Sequence, residues 1–415
     1  GPSGAPSRGR PDVLPTGRNF FSVDTRMIPT PTAWALGEKS AALLVERFVQ
    51  DNGDYPRSIG LSVWGTATMR TGGDDIAQAF ALLGVRPLWA EGSFRVTDFE
   101  VLPGKRMDRP RVDVTLRVSG FFRDAFANVM QMYDAAVQRV AELDEPEEIN
   151  PIRARIQRET AELQARGLDA ASARQQAGFR VFGAKPGAYG AGLQGLIDSR
   201  DWQDDADLAN AYLSWGGYAY GQKVYGAEDR DGFARRLAQI QAVVQNQDNR
   251  EHDLLDSDDY YQFHGGMSAA ARHLSGTQPA MLFGDHSNPQ APKVRNLGEE
   301  ISRVMRARVT NPKWIDGVKR HGYKGAFEMA ATVDYLFAFD ATTGVVRDDQ
   351  YASLTDAYLG DPSTREFLQR HNPDALLDIS ERLLEAIQRG LWQSPGDYRE
   401  RIESHLIAAE QQLEE

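Results

Sequence analysis

Apolar residues along Ala33 to Gln50 recur with helical spacing, Leu36, Leu43, Leu44 and Val45 falling on or near one face, which predicts a helix. Ile59 to Trp64 is instead a short continuous apolar run. That is the pattern of a strand buried on both faces, and Gly65-Thr66 ends it. Asp74 and Asp75 open a helix through Leu83, and Gly84 stops it. Val85 to Trp89 predicts the next strand. Arg111 to Val118 alternates Val112, Val114, Leu116 and Val118 and predicts another. Phe121 to Leu143 predicts one long helix. Strand–helix–strand repetition implies a Rossmann-like parallel sheet with helices on both faces. Ligands of such sheets sit beyond the carboxyl ends of the strands, so residues 65–73, 90–93 and 119–124 are expected to line a cleft.

The pattern changes after Glu145-Pro146-Glu147-Glu148. Asn150 caps a helix with Pro151 at its first position and Ile152, Ile156 and Leu163 on one face. Gly167 ends it, and Asp169 starts another through Gly178. From there the chain reads as mostly helical. Asn372-Pro373 opens a late helix carrying Leu376, Leu383, Leu384 and Ile387, closed by Gly390. The expected organisation is an extended arm over 1–33, rich in Pro and Gly, then an α/β domain over 34–148. A helix-rich domain over 149–415 is expected to carry the candidate active-site loops. The fold class is thus α/β followed by mostly α.

Composition removes several functions. The chain of 415 residues has no cysteine, which excludes disulfides, thiolate metal sites and a thiol nucleophile, and suits the cytoplasm. Its 47 Lys and Arg against 59 Asp and Glu leave a net charge of −12, which argues against nucleic acid as a partner. The most apolar long stretch, Ala326 to Phe339, is broken by Glu328 and Asp334 and is too short to span a bilayer. The closest approach to a phosphate-binding loop is Leu36-Gly37-Glu38-Lys39-Ser40, where Glu38 breaks the motif within a helix. No Gly-x-Ser-x-Gly nucleophile turn is present. ATP chemistry therefore has to come from another chain.

Three stretches carry candidate chemistry. Arg180 to Leu193 holds Gly183, Gly187, Gly190, Gly192 and Pro186, a backbone-rich loop suited to a flat or anionic ligand, or a plain surface loop. His252 to Met267 collects His252, Asp253, Asp256, Asp258, Asp259 and His264. Exchangeable oxygen and imidazole ligands suit a metal that must be handed on, and the same groups serve as bases. Asp256-Ser257-Asp258-Asp259 is equally good helix-start chemistry. Phe283 to Asn296 places Asp285 and His286 just after the probable strand at Ala280-Met281-Leu282.

At these residues the chain resembles the large subunits of the class I tetrapyrrole chelatases, the CobN and magnesium chelatase family. The matching stretches are 14–20 through 28–34, Leu61 to Thr66 and Val118 to Asp124. Others are Asp144-Glu-Pro146, Asp256-Ser-Asp258, Asn311 to Trp314 and His321-Gly-Tyr323. Phe263 to Met267 and Gly284 to Asn288 resemble the cobalt branch. The opening Gly1 to Pro6 resembles family sequence too, so a C-terminal fragment of a longer subunit is expected. The resemblance implies insertion of Co²⁺ into hydrogenobyrinic acid a,c-diamide in aerobic cobalamin synthesis. ATP and Mg²⁺ would then sit on AAA+ partner subunits, not on this chain. For that chemistry, which carboxylates and histidines can perform, His264, His286, Asp285 and Asp259 are expected as proton acceptors or transient metal ligands, with His264, His286 and Asp258 as the metal contacts. Arg18, Lys185, Arg295 and Lys313 are expected to pair with corrinoid carboxylates. Trp64, Tyr189 and Trp314 are expected to line the macrocycle pocket. The alternatives are a scaffold that docks the motor subunits and a chelatase for another metal such as magnesium.

Overall fold

The computed structural model describes residues 23–414. Two compact units form, one of residues up to 250 with 262–295, the other of 251–261 with 296 onward.

The first unit is built on an eight-stranded sheet in the order β10-β9-β8-β1-β4-β5-β6-β7. Its strands are β1 (Ser58–Val63), β4 (Asp113–Val118), β5 (Val181–Gly183), β6 (Tyr218–Tyr220), β7 (Tyr225–Glu228), β8 (Ala242–Gln247), β9 (Ala280–Asp285) and β10 (Lys293–Asn296). The run β9-β8-β1-β4-β5 is parallel, and β6 and β7 are antiparallel additions. Every residue of β1, β4 and β8 is buried, as a sheet covered on both faces requires. Ile59, Leu61 and Val63 join a core with α1 (Pro31–Asn52), α3 (Asp74–Leu83) and α5 (Ala127–Ala141). On the other face a Cβ at Gly60 would collide with Met267 of the helix Gly266–Ser275. Gly37 marks the crossing of α1 over α3, where a Cβ would lie 2.5 Å from that of Ala77.

Chain order reverses beside β1. The chain leaves β1 for β4 on one side, while β8 and β9 lie on the other. Ligand crevices of open α/β sheets form at such a reversal, beyond the carboxyl ends of the strands.

Several expectations change. The sheet runs through the expected boundary at 148/149, because β5 to β10 come from beyond it, and residues on both sides share the first unit. Those strands are short or end in polar residues, so periodicity hides them. The helix expected over Phe121 to Leu143 is α4 (Gly120–Ala125) followed by α5, broken at buried Phe126, whose ring stacks on Phe122 at 5.1 Å. Residues 65–73 are mostly the helix α2 (Gly65–Thr71). Residues 90–93 connect β2 (Val85–Trp89) to β3 (Val96–Val101), an antiparallel pair separate from the main sheet.

The second unit contains the helices Leu297–Val304, Pro312–Lys319, Tyr323–Thr343, Asp348–Thr355, Pro362–His371, Pro373–Gln388 and Tyr398–Glu414. Asn311 and Asn372 cap two of them, accepting from the amides of Lys313 and Ala375, with proline next in each case. Among the described residues no helix is long and apolar enough to cross a membrane.

Candidate functional site at the strand crossover

A connected group of polar side chains is buried at the carboxyl ends of β8 and β9. His286 follows β9, and its Nε2 lies 2.7 Å from Ser40 Oγ on α1. Gln78 Nε2 on α3 donates to the same oxygen at 2.9 Å. Asn246 on β8 donates to Gln78 Oε1 at 2.7 Å and to Asp75 Oδ1 at 2.8 Å. Asp74 Oδ2 is 3.8 Å from His286 Nδ1. Each of these residues is at most 6% exposed. Gly284 makes the arrangement possible, since a Cβ there would occupy the place of Asn246 Oδ1. At the crevice between β1 and β8, Arg70 of α2 and Asp248 meet in a two-pronged ion pair at 2.9 Å.

Burial sets the proton chemistry. Desolvation pushes Asp75 up to about 7, with the Asn246 hydrogen bond opposing it and the Asp248 charge adding to it. A carboxyl that exchanges its proton near neutrality is what a general base needs.

The expected site residues divide. His286 and Asp285 sit at the carboxyl edge. Burial alone would raise the Asp285 carboxyl, but Ser287, Arg250 and Arg295 hold it below the usual range. It is therefore an anchored anion, a weaker base than an ordinary carboxylate. Arg295 Nη1 is 3.2 Å from Asp285 Oδ2, so this arginine is engaged within the chain. His264 is buried in a π-helical turn, Nε2 3.3 Å from Val243 O. That carbonyl is about 13 Å along β8 from its carboxyl end. Burial pulls the imidazole down to about 4, against the Val243 contact, so it stays neutral. This is the setting of a core histidine.

Asp258 and Asp259 belong to the second unit. Ser257 caps their short helix, and burial followed by the Asp258 charge pushes Asp259 upward. Of the expected metal set, His264 and His286 lie in the first unit and Asp258 in the second. Among the described residues no three His, Cys, Asp or Glu side chains form a metal cluster. Half-buried Trp64 follows β1 at the start of α2 and packs on Phe263 at 4.4 Å. Exposed Tyr189 donates to Asp124 at 2.8 Å, and Lys185 is exposed on the same loop. Lys313 is exposed in the second unit, and Trp314 lies under Arg308 at 5.2 Å. Arg18 lies outside the described residues.

The residues that sequence reasoning missed are Ser40, Gln78 and Asn246, with Asp74 and Asp75 taken only as a helix start. Gln245, Asn246 and Gln247 closing a buried apolar strand were the available signal.

Val118 to Asp124 shows how a family stretch builds the edge. Ser119 caps α4 by accepting from Phe122 N. Gly120 leaves room for the Tyr189 ring. Arg123 donates to the carbonyls of Ala184, Lys185 and Ala188 and pairs with Asp124, fixing the glycine-rich loop.

The fold is that of an open α/β sheet, whose ligands, where it binds them, sit beyond the carboxyl ends of the strands at such a reversal. The chain belongs to the CobN/Magnesium Chelatase family, whose model matches residues 1–399. It is 66% identical over 412 residues to the aerobic cobaltochelatase subunit CobN of Pseudomonas aeruginosa, covering 99% of this chain and 33% of that protein. The chloroplastic magnesium-chelatase subunit ChlH of Oryza sativa subsp. japonica is 33% identical over 422 residues, covering 100% and 29%. A solved structure, the catalytic subunit of cobaltochelatase from Mycobacterium tuberculosis, matches with a TM-score of 0.92 at 52% identity. It covers 99% of this chain and 34% of that one. The chain thus spans about a third of the length of the relatives it matches.

Proposed function

We propose that this chain is part of the corrinoid- and metal-handling subunit of a cobaltochelatase, inserting Co²⁺ into hydrogenobyrinic acid a,c-diamide. The 66% identity to a cobaltochelatase subunit, twice the identity to a magnesium-chelatase subunit, carries this reading. In it the chain works in the cytoplasm with AAA+ subunits that hold ATP and Mg²⁺.

Insertion removes ring N–H protons while the metal sheds water. Asp75 is the proton acceptor in this reading, with Asn246 and Gln78 fixing its orientation. His286, Ser40 and Asp74 form the adjoining branch, in which Ser40 Oγ accepts from Gln78 Nε2 and is hydrogen-bonded to His286 Nε2. Arg70 and Asp248 stand at the mouth of the crevice.

The test is Co²⁺ insertion by the assembled enzyme, followed by the corrinoid's visible spectrum. Asp75→Asn lowers the insertion rate at least about a hundredfold while corrinoid binding persists, within the range for loss of a proton-transfer group. Unchanged insertion would contradict the assignment.

A further inference from the structure

A cavity of about 290 Å³ opens between α5, the helix Ala170–Gly178 and the turn that joins β6 to β7. None of its lining residues belongs to the crossover cluster. Asp134 and Gln138 stand one turn apart on α5, Arg174 comes from the helix Ala170–Gly178, and Gln222 and Lys223 come from the turn.

Gln138 stands between the two opposite charges. Its Nε2 donates to Asp134 Oδ1 at 3.3 Å, and its Oε1 accepts from Arg174 Nη1 at 2.8 Å. The amide faces this way because the acid needs a donor and the guanidinium an acceptor. A Cβ at Gly178 would lie 2.4 Å from that Nε2, so close approach of the helix holds the amide in place. Asp134 Oδ2 accepts from Gln222 N at 2.9 Å. Among the described residues Arg174 forms no ion pair, and Gln138 is its one hydrogen-bond partner. Most of its five N–H donors are therefore left over.

Burial raises the Asp134 carboxyl, opposed by the hydrogen bonds from Gln222 and Gln138. Burial likewise lowers the Arg174 guanidinium, opposed by the charge of Glu142. Each charge is held at a desolvation cost that its neighbours return only in part. A direct ion pair would relieve both, yet the fold spaces the two with a neutral amide. That bridge is one amide group and two hydrogen bonds long. An ammonium and a carboxylate on one carbon, with a hydrogen bond at each end, cover the same span. The carboxylate would meet the planar fork of Arg174, with exposed Lys223 as a second cation in the lining. A ligand of one sign fits less well, since an anion faces Asp134 and a cation faces Arg174 and Lys223.

We propose that this cavity binds a small zwitterion of the α-amino acid class, Asp134 taking the ammonium and Arg174 the carboxylate. Most of the lining is polar, which favours a polar side chain on the ligand. The site uses other elements than the crossover and stands independently of the corrinoid reading.

The experiment titrates glycine, L-serine and L-asparagine into the full chain, followed by calorimetry and thermal shift. At least one binds saturably. Its N-acetyl derivative, which has no ammonium, and its methyl ester, which has no carboxylate, each bind about tenfold more weakly, the value of a charged hydrogen bond. Arg174→Met no longer separates acid from ester, and Asp134→Asn no longer separates the amine from its N-acetyl form. The wild-type comparisons decide the matter alone if a variant does not fold. No saturable binding of any of the three, or binding that the derivatives or the variants keep in full, overturns the proposal.

Discussion

At the scale of single residues, environment decides which carboxylates do chemistry. Asp285 and Asp75 are both buried, yet three donors hold one ionised while desolvation raises the other to about 7. A carboxyl raised in the folded state from 3.8 to about 7 binds its proton more tightly folded than unfolded. Stability from this group is therefore fully present below about 4 and is lost as pH rises through about 7. Asp75→Asn removes that dependence. Its melting temperature exceeds that of wild type at pH 8 and matches it at pH 4. Asp340 in the second unit is raised to about 7 in the same way, so the readout is the difference between the two proteins. Equal melting temperatures at pH 8 would refute the assignment. None of this was legible in the sequence. Asp74-Asp75 reads as ordinary helix-start chemistry until Asn246, 171 residues away, is brought against it.

At the scale of elements, sequence patterns that bury one face survive folding well. The helix α1, the strands β1 and β4 and the helix after Asn372 follow from periodicity and caps. The strands β5 to β7 do not, because three or four residues are too few to show a period. Glycine-rich segments were legible as irregular backbone, but not as anchored backbone. Arg123 supplies the anchor for residues 184–188. Arg123→Ala leaves those carbonyls without their donor and a void in the core, costing about 2–4 kcal/mol. Limited proteolysis then cuts within 184–193 faster than in wild type. An unchanged cleavage pattern would show that the loop holds its shape without the arginine.

At the scale of the whole molecule, one reversal of strand order gathers residues from α1, α3, β8 and β9 into a single site. Family stretches spread from residue 14 to 323 made the relationship legible early. Many of them turn out to shape backbone: caps at Ser119 and Asn311, clearance at Gly120, a loop anchor at Arg123. Residues that share the crevice come from segments with no common motif, and only the fold joins them.

The central claim is that the macrocycle binds at this crossover. Titration of the chain with hydrogenobyrinic acid a,c-diamide tests it directly, with the visible spectrum reporting binding and tryptophan fluorescence reporting place. Trp64 stands at the end of β1 among seven tryptophans. Saturable binding is predicted, with quenching that is mostly abolished in Trp64→Phe. No saturable binding, or quenching that Trp64→Phe leaves intact, would contradict it.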